Sequence, residues 1–299
     1  MSTPPTPRPA PTPLVAIWFI IAAFFLFSCT DAAAKYLIRD GVYPPFASWI
    51  RFMVQGVLVA ALFRIWTRPR NFGTRQPWRH VLRSCLLLLS GVFSFAALDT
   101  LQLAEFISII FLGPLMIVVM GRVFLKERVE WQRYAAVLSG LAGVLIITRP
   151  GLGGFHIGHV IALMAVTTYS GFAVATRMLA ATETQESLMF IPAIMALVVM
   201  GPAVIATGPV PDEPLHWLMM CGLGVTGATG QFLVVRAYRI AAASALAPYN
   251  YLQMIWSASL GYLVFGDLPD IWTVTGSLVI VASGIYLMHR DRLARRAAG

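Results

Sequence analysis

Long apolar segments follow one another along most of the chain, and short polar loops separate them. A helical segment of about 20 residues is long enough to cross a hydrocarbon core of roughly 30 Å. Ten such segments cover residues 14–37, 45–64, 80–98, 101–121, 133–149, 157–178, 187–207, 214–236, 242–264 and 271–289. Because a bilayer core offers no water to the backbone, we expect each segment to be a helix. The pattern predicts an all-α integral membrane protein with ten transmembrane helices, surrounded by the lipid bilayer.

The composition supports this class, because 58% of the residues are hydrophobic and only 12% are charged. A soluble domain carries about 25% charged residues. Residues 1–13 include six prolines and no apolar pattern, so we expect a disordered tail there. Residues 290–299 form a basic, cytoplasmic tail after the last segment. The three cysteines are scattered without CxxC spacing, which predicts neither a disulfide framework nor a metal site.

The basic residues lie mostly on one side of the predicted membrane. If the amino terminus is cytoplasmic, that side holds all of the 22 lysine and arginine residues except Lys35, Arg39, Arg51 and Arg149. Positively charged residues resist translocation and stay inside. We therefore predict that both termini are cytoplasmic. The formal net charge of +9 then reflects membrane topology, and it does not indicate a nucleic-acid partner.

The second half of the chain is a weak copy of the first. With an offset of 140 residues, Glu127 aligns with Asp267 and Gly143 aligns with Ser283. Each half holds five segments, an odd number, so the second copy has the opposite orientation in the membrane. The sequence thus predicts two inverted five-helix repeats, at residues 14–149 and 157–289. Inverted repeats are typical of secondary transporters, which hold their substrate near the membrane midplane.

Three short motifs carry a resemblance to a known family. SWIRF opens the second segment, FLKE ends the fourth and VFGD ends the ninth. With them, the chain resembles the EamA-type branch of the drug/metabolite transporter superfamily from about residue 14 to 289. It looks closest to bacterial aromatic amino-acid exporters, although Asp267 stands where glutamate is common. The resemblance implies metabolite export by alternating access, without ATP, in the bacterial inner membrane.

Charged residues within the first two segments need a reason. A charge at the centre of a membrane helix costs roughly 2.5–3.5 kcal/mol on insertion scales. Asp31 lies toward the outer end of the first segment, and Arg51 lies at a similar depth in the second. The two residues either form a pair that neutralises both charges or take part directly in gating or substrate binding.

The fourth segment carries a second polar face. Gln102 and Glu105 are three residues apart and therefore share one side of a helix. Glu105 is either a carboxylate in a solvated vestibule or a group that accepts protons or binds amines. All five histidines lie at segment ends, so any coupled proton is expected on Asp31 or Glu105. Pro114 is expected to kink this helix.

The ninth segment contains the polar stretch SALAPYNYLQMIW. Pro248 cannot donate a hydrogen bond to the carbonyl one turn earlier, which predicts a kink. Lipid tolerates such a broken backbone only where protein or a wet cavity satisfies it. Tyr249, Gln253 and Trp256 form one helical stripe, with Asn250 beside it. We interpret this stretch as a wall of the substrate cavity, and a kinked packing helix is the alternative.

These observations predict a transporter and not an enzyme. Tyr169, in the sixth segment, joins the predicted cavity because a buried phenol needs a polar partner. The leading hypothesis is a monomeric exporter of small amphipathic metabolites, with aromatic amino acids first, that needs no cofactor. The alternative is an exporter of amphipathic or cationic drugs. An intramembrane enzyme would need a catalytic pair, such as a buried histidine, that these segments lack. The substrate's identity, ion coupling and transport direction stay open at this point.

Overall fold

The computed structural model describes residues 14–67, 69–124, 131–149, 155–179, 182–207, 209–240, 249 and 252–298. Within these ranges the chain forms helices, turns and loops, and none of the described residues belongs to a strand. This agrees with the all-helical prediction. The tail predicted at 1–13, together with Pro248 and Asn250, lies outside the described residues.

The helices vary widely in length. They are α1 (Leu14–Arg39), α2 (Pro44–Leu62), α3 (Pro77–Thr100), α4 (Leu103–Ile110), α5 (Gly113–Phe124), α6 (Trp131–Thr148), α7 (Ile157–Leu179), α8 (Gln185–Met195), α9 (Gly201–Thr207), α10 (Pro214–Ile240), α11 (Leu252–Phe265) and α12 (Ile271–Ala298). A 3₁₀ turn at Pro69–Phe72 precedes α3, and a π-helical turn at Ala196–Met200 joins α8 to α9. The last helix continues into the basic tail as far as Ala298.

Within the described residues, six helical stretches are long and apolar enough to cross a membrane. They are Leu14–Arg39, Pro44–Leu62, Pro77–Thr100, Ile157–Thr176, Glu186–Ala206 and Pro214–Val234. Shorter apolar helical stretches lie at Leu103–Ile117, Leu138–Thr148, Leu252–Phe265 and Ile271–Tyr286. The chain is thus a multi-pass membrane protein, and the predicted count of ten spans stays a prediction.

The fourth predicted segment is two helices and not one. A turn at residues 111–112 separates α4 from α5, and Pro114 follows in the first turn of α5. A proline has no backbone N–H, so it is tolerated at a helix start and breaks a helix interior. Before the proline, α4 ends in a tight turn, in which the N–H of Leu112 donates to the carbonyl of Ile109 at 3.0 Å.

Glycines allow α10 to approach its neighbours closely. A Cβ added to Gly224 would lie 2.4 Å from Cβ of Val54 on α2. A Cβ added to Gly230 would lie 2.6 Å from Cε1 of Phe27 on α1. Small residues of this kind bring membrane helices together, because the packing of atoms replaces the missing hydrophobic force. The interior side chains of α1, α2 and α10 are therefore held within reach of one another.

The largest apolar core fills the predicted extracellular half of the bundle. It includes the outer turns of α1, the first turns of α2, the end of α3 and most of α4. Phe46, Phe95, Leu98 and Phe106 are examples of its fully packed side chains, each at most 3% exposed. Side chains are therefore tightly packed in this half of the molecule.

Candidate functional site

Two residues with opposite charges, Asp31 and Arg51, lie on neighbouring helices of the bundle. Asp31 on α1 and Arg51 on α2 are close enough to interact electrostatically. Each lies about two helical turns from the predicted extracellular end of its helix, a depth of roughly 10–12 Å at 1.5 Å per residue. The described contacts include no ion pair within 4.0 Å between them. They attract each other without direct contact.

The Asp31 carboxylate is held from α11. Gln253 Nε2 donates a hydrogen bond to Asp31 Oδ2 at a donor–acceptor distance of 3.4 Å. One turn toward the amino terminus of α1, the Ser28 hydroxyl donates to the backbone carbonyl of Gln253 at 3.3 Å and contacts the Ser257 hydroxyl at 3.1 Å. These small polar side chains let α1 and α11 pack closely. Gln253 is therefore fixed beside Asp31 by contacts on both its side chain and its backbone.

Arg51 is surrounded by aromatic rings and by helix backbone. Its guanidinium carbon lies 5.9 Å from the centroid of Phe52 and 5.7 Å from that of Phe95. On the α10 side, a Cβ added to Gly227 would lie 3.4 Å from Arg51 Nε. Arg51 Nε is buried and has no hydrogen-bond partner among the described residues. The rings stabilise the positive charge through cation–π attraction, and a hydrogen-bond donor is left over.

Tyr169 brings α7 to the same place. It interacts electrostatically with Arg51, and its side chain is 45% exposed. Its ring centroid lies 5.8 Å from that of Phe172, one turn further along α7. We call Asp31, Arg51, Tyr169 and Gln253 the central site. All four residues are partly exposed, and Asp31, Arg51 and Tyr169 lie about two helical turns or more from the ends of their helices.

The other predicted residues of α11 lie beside the central site. Trp256 packs edge-on against Phe25 of α1, with ring centroids 5.3 Å apart. Its indole Nε1 is buried without a partner among the described residues. Tyr249 lies further toward the predicted cytoplasmic side, where it packs against a small apolar cluster that includes Ala16 and Ile20.

A second polar group, which we call the outer charge layer, lies closer to the predicted extracellular surface. Lys35 Nζ and Asp267 Oδ2 are 2.7 Å apart, and the Lys35 side chain is fully buried. Arg39 approaches the same carboxylate oxygen at 3.5 Å. Glu105 Oε1 lies 2.5 Å from Nε2 of the buried His159, and Glu105 also acts electrostatically on Lys35. The layer joins α1, α4, α7 and the loop after α11.

The structure thus divides the predicted site residues between two places. Asp31, Arg51, Tyr169 and Gln253 come together, whereas Glu105 belongs to the outer charge layer. Gln102 is the residue before α4, where it is partly buried and its side chain makes no capping hydrogen bond. The sequence did not indicate that His159 contacts Glu105, or that Lys35 pairs with Asp267. The signal for Lys35 was its position within an apolar segment, where a buried ammonium requires an opposite charge.

The predicted cytoplasmic end has its own His–carboxylate contact, between His80 Nε2 and Glu183 Oε2 at 3.6 Å. Burial opposes ionisation of the Glu183 carboxyl, but hydrogen bonds and a nearby charge together outweigh the effect of burial. The backbone N–H groups of Arg75 and Gln76 and the Thr74 hydroxyl donate to Glu183 Oε1 at 2.9–3.1 Å. These hydrogen bonds and the nearby His80 lower the pKa of the Glu183 carboxyl. The group fixes the loop before α3 to the loop before α8.

One cluster has the residue types of a metal site. His216 Nε2 lies 2.6 Å from Asp40 Oδ2 and 3.7 Å from Glu213 Oε2, at the predicted extracellular surface. The ring nitrogen is already engaged with the Asp40 carboxylate, and both acidic side chains are about half exposed or more. The contact joins the end of α1 to the start of α10.

The chain is similar in sequence to several known transporters. The chain is 25% identical to an S-adenosylmethionine uptake transporter of Rickettsia bellii, over 93% of this chain and 94% of the relative. It is 24% identical to a riboflavin transporter of Rhizobium johnstonii, over 94% and 93% respectively. It is 26% identical to a pseudopaline exporter of Pseudomonas aeruginosa, over 69% and 76%.

A solved crystal structure, 22% identical in sequence, superposes with a TM-score of 0.64 over 92% of this chain and 98% of that chain, so the two share a fold. The profile of the EamA-like transporter family matches twice, at residues 14–149 and 156–289. These two matches cover nearly the whole sequence. The chain therefore belongs to the EamA-like transporter family.

Proposed function

We propose that this protein is a secondary transporter that exports small amphipathic metabolites, with aromatic and hydrophobic amino acids first. The observation that carries the proposal is the central site. There, four helices bring Asp31, Arg51, Tyr169 and Gln253 together, and among the described residues Arg51 Nε has no hydrogen-bond partner and Asp31 accepts one hydrogen bond, from Gln253. Charged groups within membrane helices are costly and mark substrate or ion pathways. A small solute with polar and aromatic parts matches these side chains.

Alternating access is part of the proposal, and the helix contacts support it. Helix α1 packs against α10, and α3 packs against α7. In the predicted repeats, α1 and α3 are the first and third spans, and α7 and α10 are the sixth and eighth. The first span corresponds to the sixth and the third to the eighth, so the α1–α10 contact and the α3–α7 contact are equivalent. The two family matches divide the chain at the same place. Rocking of one half against the other would expose the central site to each side in turn.

The relatives support a small organic metabolite as the substrate class. They are named for S-adenosylmethionine, riboflavin and pseudopaline, and their names include both uptake and export. Amino-acid substrates and the export direction are therefore parts of the proposal that need their own test. We further propose that the chain acts as a monomer in the bacterial inner membrane, with both termini in the cytoplasm.

A second candidate function is the export of cationic amphipathic compounds. The observation that favours it is the Asp31 carboxylate, for which the structure gives one hydrogen bond, at 3.4 Å, among the described residues. A carboxylate has about four lone-pair positions, so a ligand cation would find free acceptors there. Arg51 opposes this candidate, because a second positive charge would be repelled at close range.

Flux in proteoliposomes tests the proposal directly. The purified full-length protein is reconstituted, and the efflux of labelled phenylalanine is measured with and without a pH gradient. A panel of amphipathic cations is measured in parallel, and liposomes without protein give the background. We expect saturable phenylalanine flux above that background. Flux of cations without flux of amino acids would favour the second candidate, and no flux of any compound would overturn both.

A further inference from the structure

We propose that the central site recognises both charges of an α-amino-acid head group, with Arg51 binding its carboxylate and Asp31, held by Gln253, binding its ammonium. This inference rests on the proposed function and goes beyond it, because it assigns one charge of the substrate to each side chain. It also predicts that the transporter discriminates amino acids from amines and from acids that share the same side chain.

The spacing of the two charges is the first argument. Asp31 and Arg51 lie at matching depth and attract each other, and yet the described contacts include no ion pair within 4.0 Å between them. A pair that only neutralised its charges would gain most from direct contact, because a buried ion pair offsets its desolvation only with good geometry. A zwitterion placed between the two side chains would give each charge a partner.

Unused hydrogen-bonding capacity is the second argument. Within the described ranges, Arg51 has an unused donor, which suits a carboxylate, and Asp31 has unused acceptors, which suit an ammonium group. Arg51 Nε is a buried donor without an acceptor among the described residues. Guanidinium groups suit planar, two-oxygen acceptors such as a carboxylate. On the other side, the structure gives the Asp31 carboxylate one 3.4 Å hydrogen bond in the described part of the chain. An ammonium group carries three donors that could fill the remaining acceptor positions.

The surroundings also distinguish the two ends of the substrate. Tyr169, which is 45% exposed, lies within electrostatic range of Arg51, while the Asp31 carboxylate accepts a hydrogen bond from the amide of Gln253. An amino acid that binds with its carboxylate on Arg51 would therefore bring its side chain close to the Tyr169 ring. Offset or edge-on ring contacts of this kind add about 0.5–1.5 kcal/mol beyond the buried area. This arrangement favours aromatic side chains.

A competition experiment in proteoliposomes tests the assignment. Uptake of labelled phenylalanine by counterflow is inhibited with unlabelled phenylalanine, with phenethylamine, which lacks the carboxylate, or with phenylpropionate, which lacks the ammonium. For the wild-type protein we expect each analogue to compete about 10–100-fold more weakly than phenylalanine, the loss expected for one charge-assisted hydrogen bond. Analogues that compete as well as phenylalanine would overturn the proposal.

Two neutral variants then assign the charges. Phenylalanine should lose its advantage over phenethylamine in Arg51→Gln, and its advantage over phenylpropionate in Asp31→Asn. This reciprocal change in ranking cannot arise from general damage to the fold. Thr168→Val is the matched control, because the Thr168 hydroxyl bonds to carbonyls of its own helix next to Tyr169. Equal loss of all three compounds in both variants would instead assign a structural role to the pair.

Two conservative variants keep the test decisive if the neutral variants do not fold. Arg51→Lys and Asp31→Glu keep the sign of each charge, and both should preserve the wild-type ranking of the three compounds. A ranking that changes in these variants while the charges are kept would contradict the assignment. If the wild-type protein moves cations but no amino acid, or moves nothing, the proposed function itself has failed.

Discussion

The central site and the outer charge layer are built from similar residues and differ in how completely those residues are paired. In the outer layer, Lys35 lies 2.7 Å from Asp267, and Glu105 lies 2.5 Å from His159. In the central site, Asp31 has one hydrogen bond at 3.4 Å in the described part of the chain, and Arg51 Nε has none. The outer layer therefore satisfies its own charges, whereas the central site leaves room for a ligand to do so.

The difference in burial follows the same division. The Lys35 side chain is fully enclosed, and an enclosed ammonium that lost its partner would be strongly destabilising. The central residues are partly exposed, so the loss of one partner there should cost less stability than in the outer charge layer. Substitutions in the outer charge layer should consequently lower mainly the free energy of unfolding. Substitutions in the central site should lower mainly the rate of transport.

The largest expected effect is on stability in the outer charge layer. Asp267→Ala leaves the buried Lys35 without its carboxylate and should lower the free energy of unfolding by about 3–5 kcal/mol. Denaturant unfolding in detergent micelles, followed by tryptophan fluorescence, measures this change. The control is Asp270→Asn, which breaks the 2.9 Å pair with Arg149, whose side chains are 31% and 42% exposed. An exposed ion pair contributes about 0–1 kcal/mol to stability. Equal effects of the two changes would therefore contradict a special role of the buried Lys35–Asp267 pair in stability.

The next effect is on transport through the central site. Asp31→Asn should reduce phenylalanine flux by about 10–100-fold, because the ammonium loses a charge-assisted hydrogen bond worth about 1.5–3 kcal/mol. Its free energy of unfolding should fall by less than that of Asp267→Ala. Flux is measured in proteoliposomes and unfolding in detergent micelles, from the same purified protein. If Asp31→Asn unfolded as easily as Asp267→Ala and kept its flux, the roles of the two regions would be reversed.

A smaller loss of transport is expected on α11. The double variant Gln253→Ala, Trp256→Ala removes the amide that holds Asp31 and a neighbouring indole, and should lower flux about tenfold. Ser28→Ala is a useful comparison, because the Ser28 hydroxyl joins α1 to α11 without reaching Asp31. Initial rates over a range of phenylalanine concentrations measure both. Unchanged flux in the double variant would remove α11 from the site.

The smallest effect concerns an exposed charge and its pH dependence. Burial opposes ionisation of Asp270, but hydrogen bonds from Thr273 and the charge of Arg149 lower the pKa of its carboxyl below the ordinary value of 3.8. A carboxyl with a lowered pKa stabilises the fold above its unfolded pKa and loses that effect as the pH falls through its folded pKa. Asp270 accepts from the backbone N–H of Thr273 at the start of α12, so Asp270→Ala should cost about 1 kcal/mol at pH 7.

This cost should diminish below about pH 4, where the wild-type carboxyl becomes protonated. Melting temperatures of both proteins at neutral and acidic pH measure the change. Thr275→Val is a control at the same end of α12, because the Thr275 hydroxyl donates to the carbonyl of Ile271 within its own helix. A cost that stays constant with pH would contradict a role for the ionised carboxylate.

The sequence predicted most of the helices because a segment of about 20 apolar residues has few alternatives in lipid. It also predicted that Asp31 and Arg51 belong together, because their distances from the segment ends match. It could not predict that Gln253 holds Asp31, since the two residues are 222 positions apart and depth alone does not fix how helices are rotated. The partnership of Lys35 and Asp267, 232 positions apart, was missed for the same reason.

The histidines show a second limit of sequence reasoning. All five lie at segment ends, which argued against a buried histidine that relays protons. His159 is nevertheless fully buried, because α4 and α7 pack together and enclose it with Glu105. The break between α4 and α5 was also only partly predicted. Pro114 indicated an irregular helix, but the position of the turn at 111–112 depends on the hydrogen bonds that close α4.

The pairing of Lys35 with Asp267 has a consequence for how the protein is made. Lys35 leaves the ribosome 232 residues before the carboxylate that it requires. At about 5–20 residues per second, synthesis of that intervening chain takes roughly 10–50 s. During this interval the first helix carries an ammonium without its final partner. The Lys35–Asp267 pair therefore forms only after the loop that follows α11 has been made, and a chain that stops before it lacks the partner of this buried ammonium.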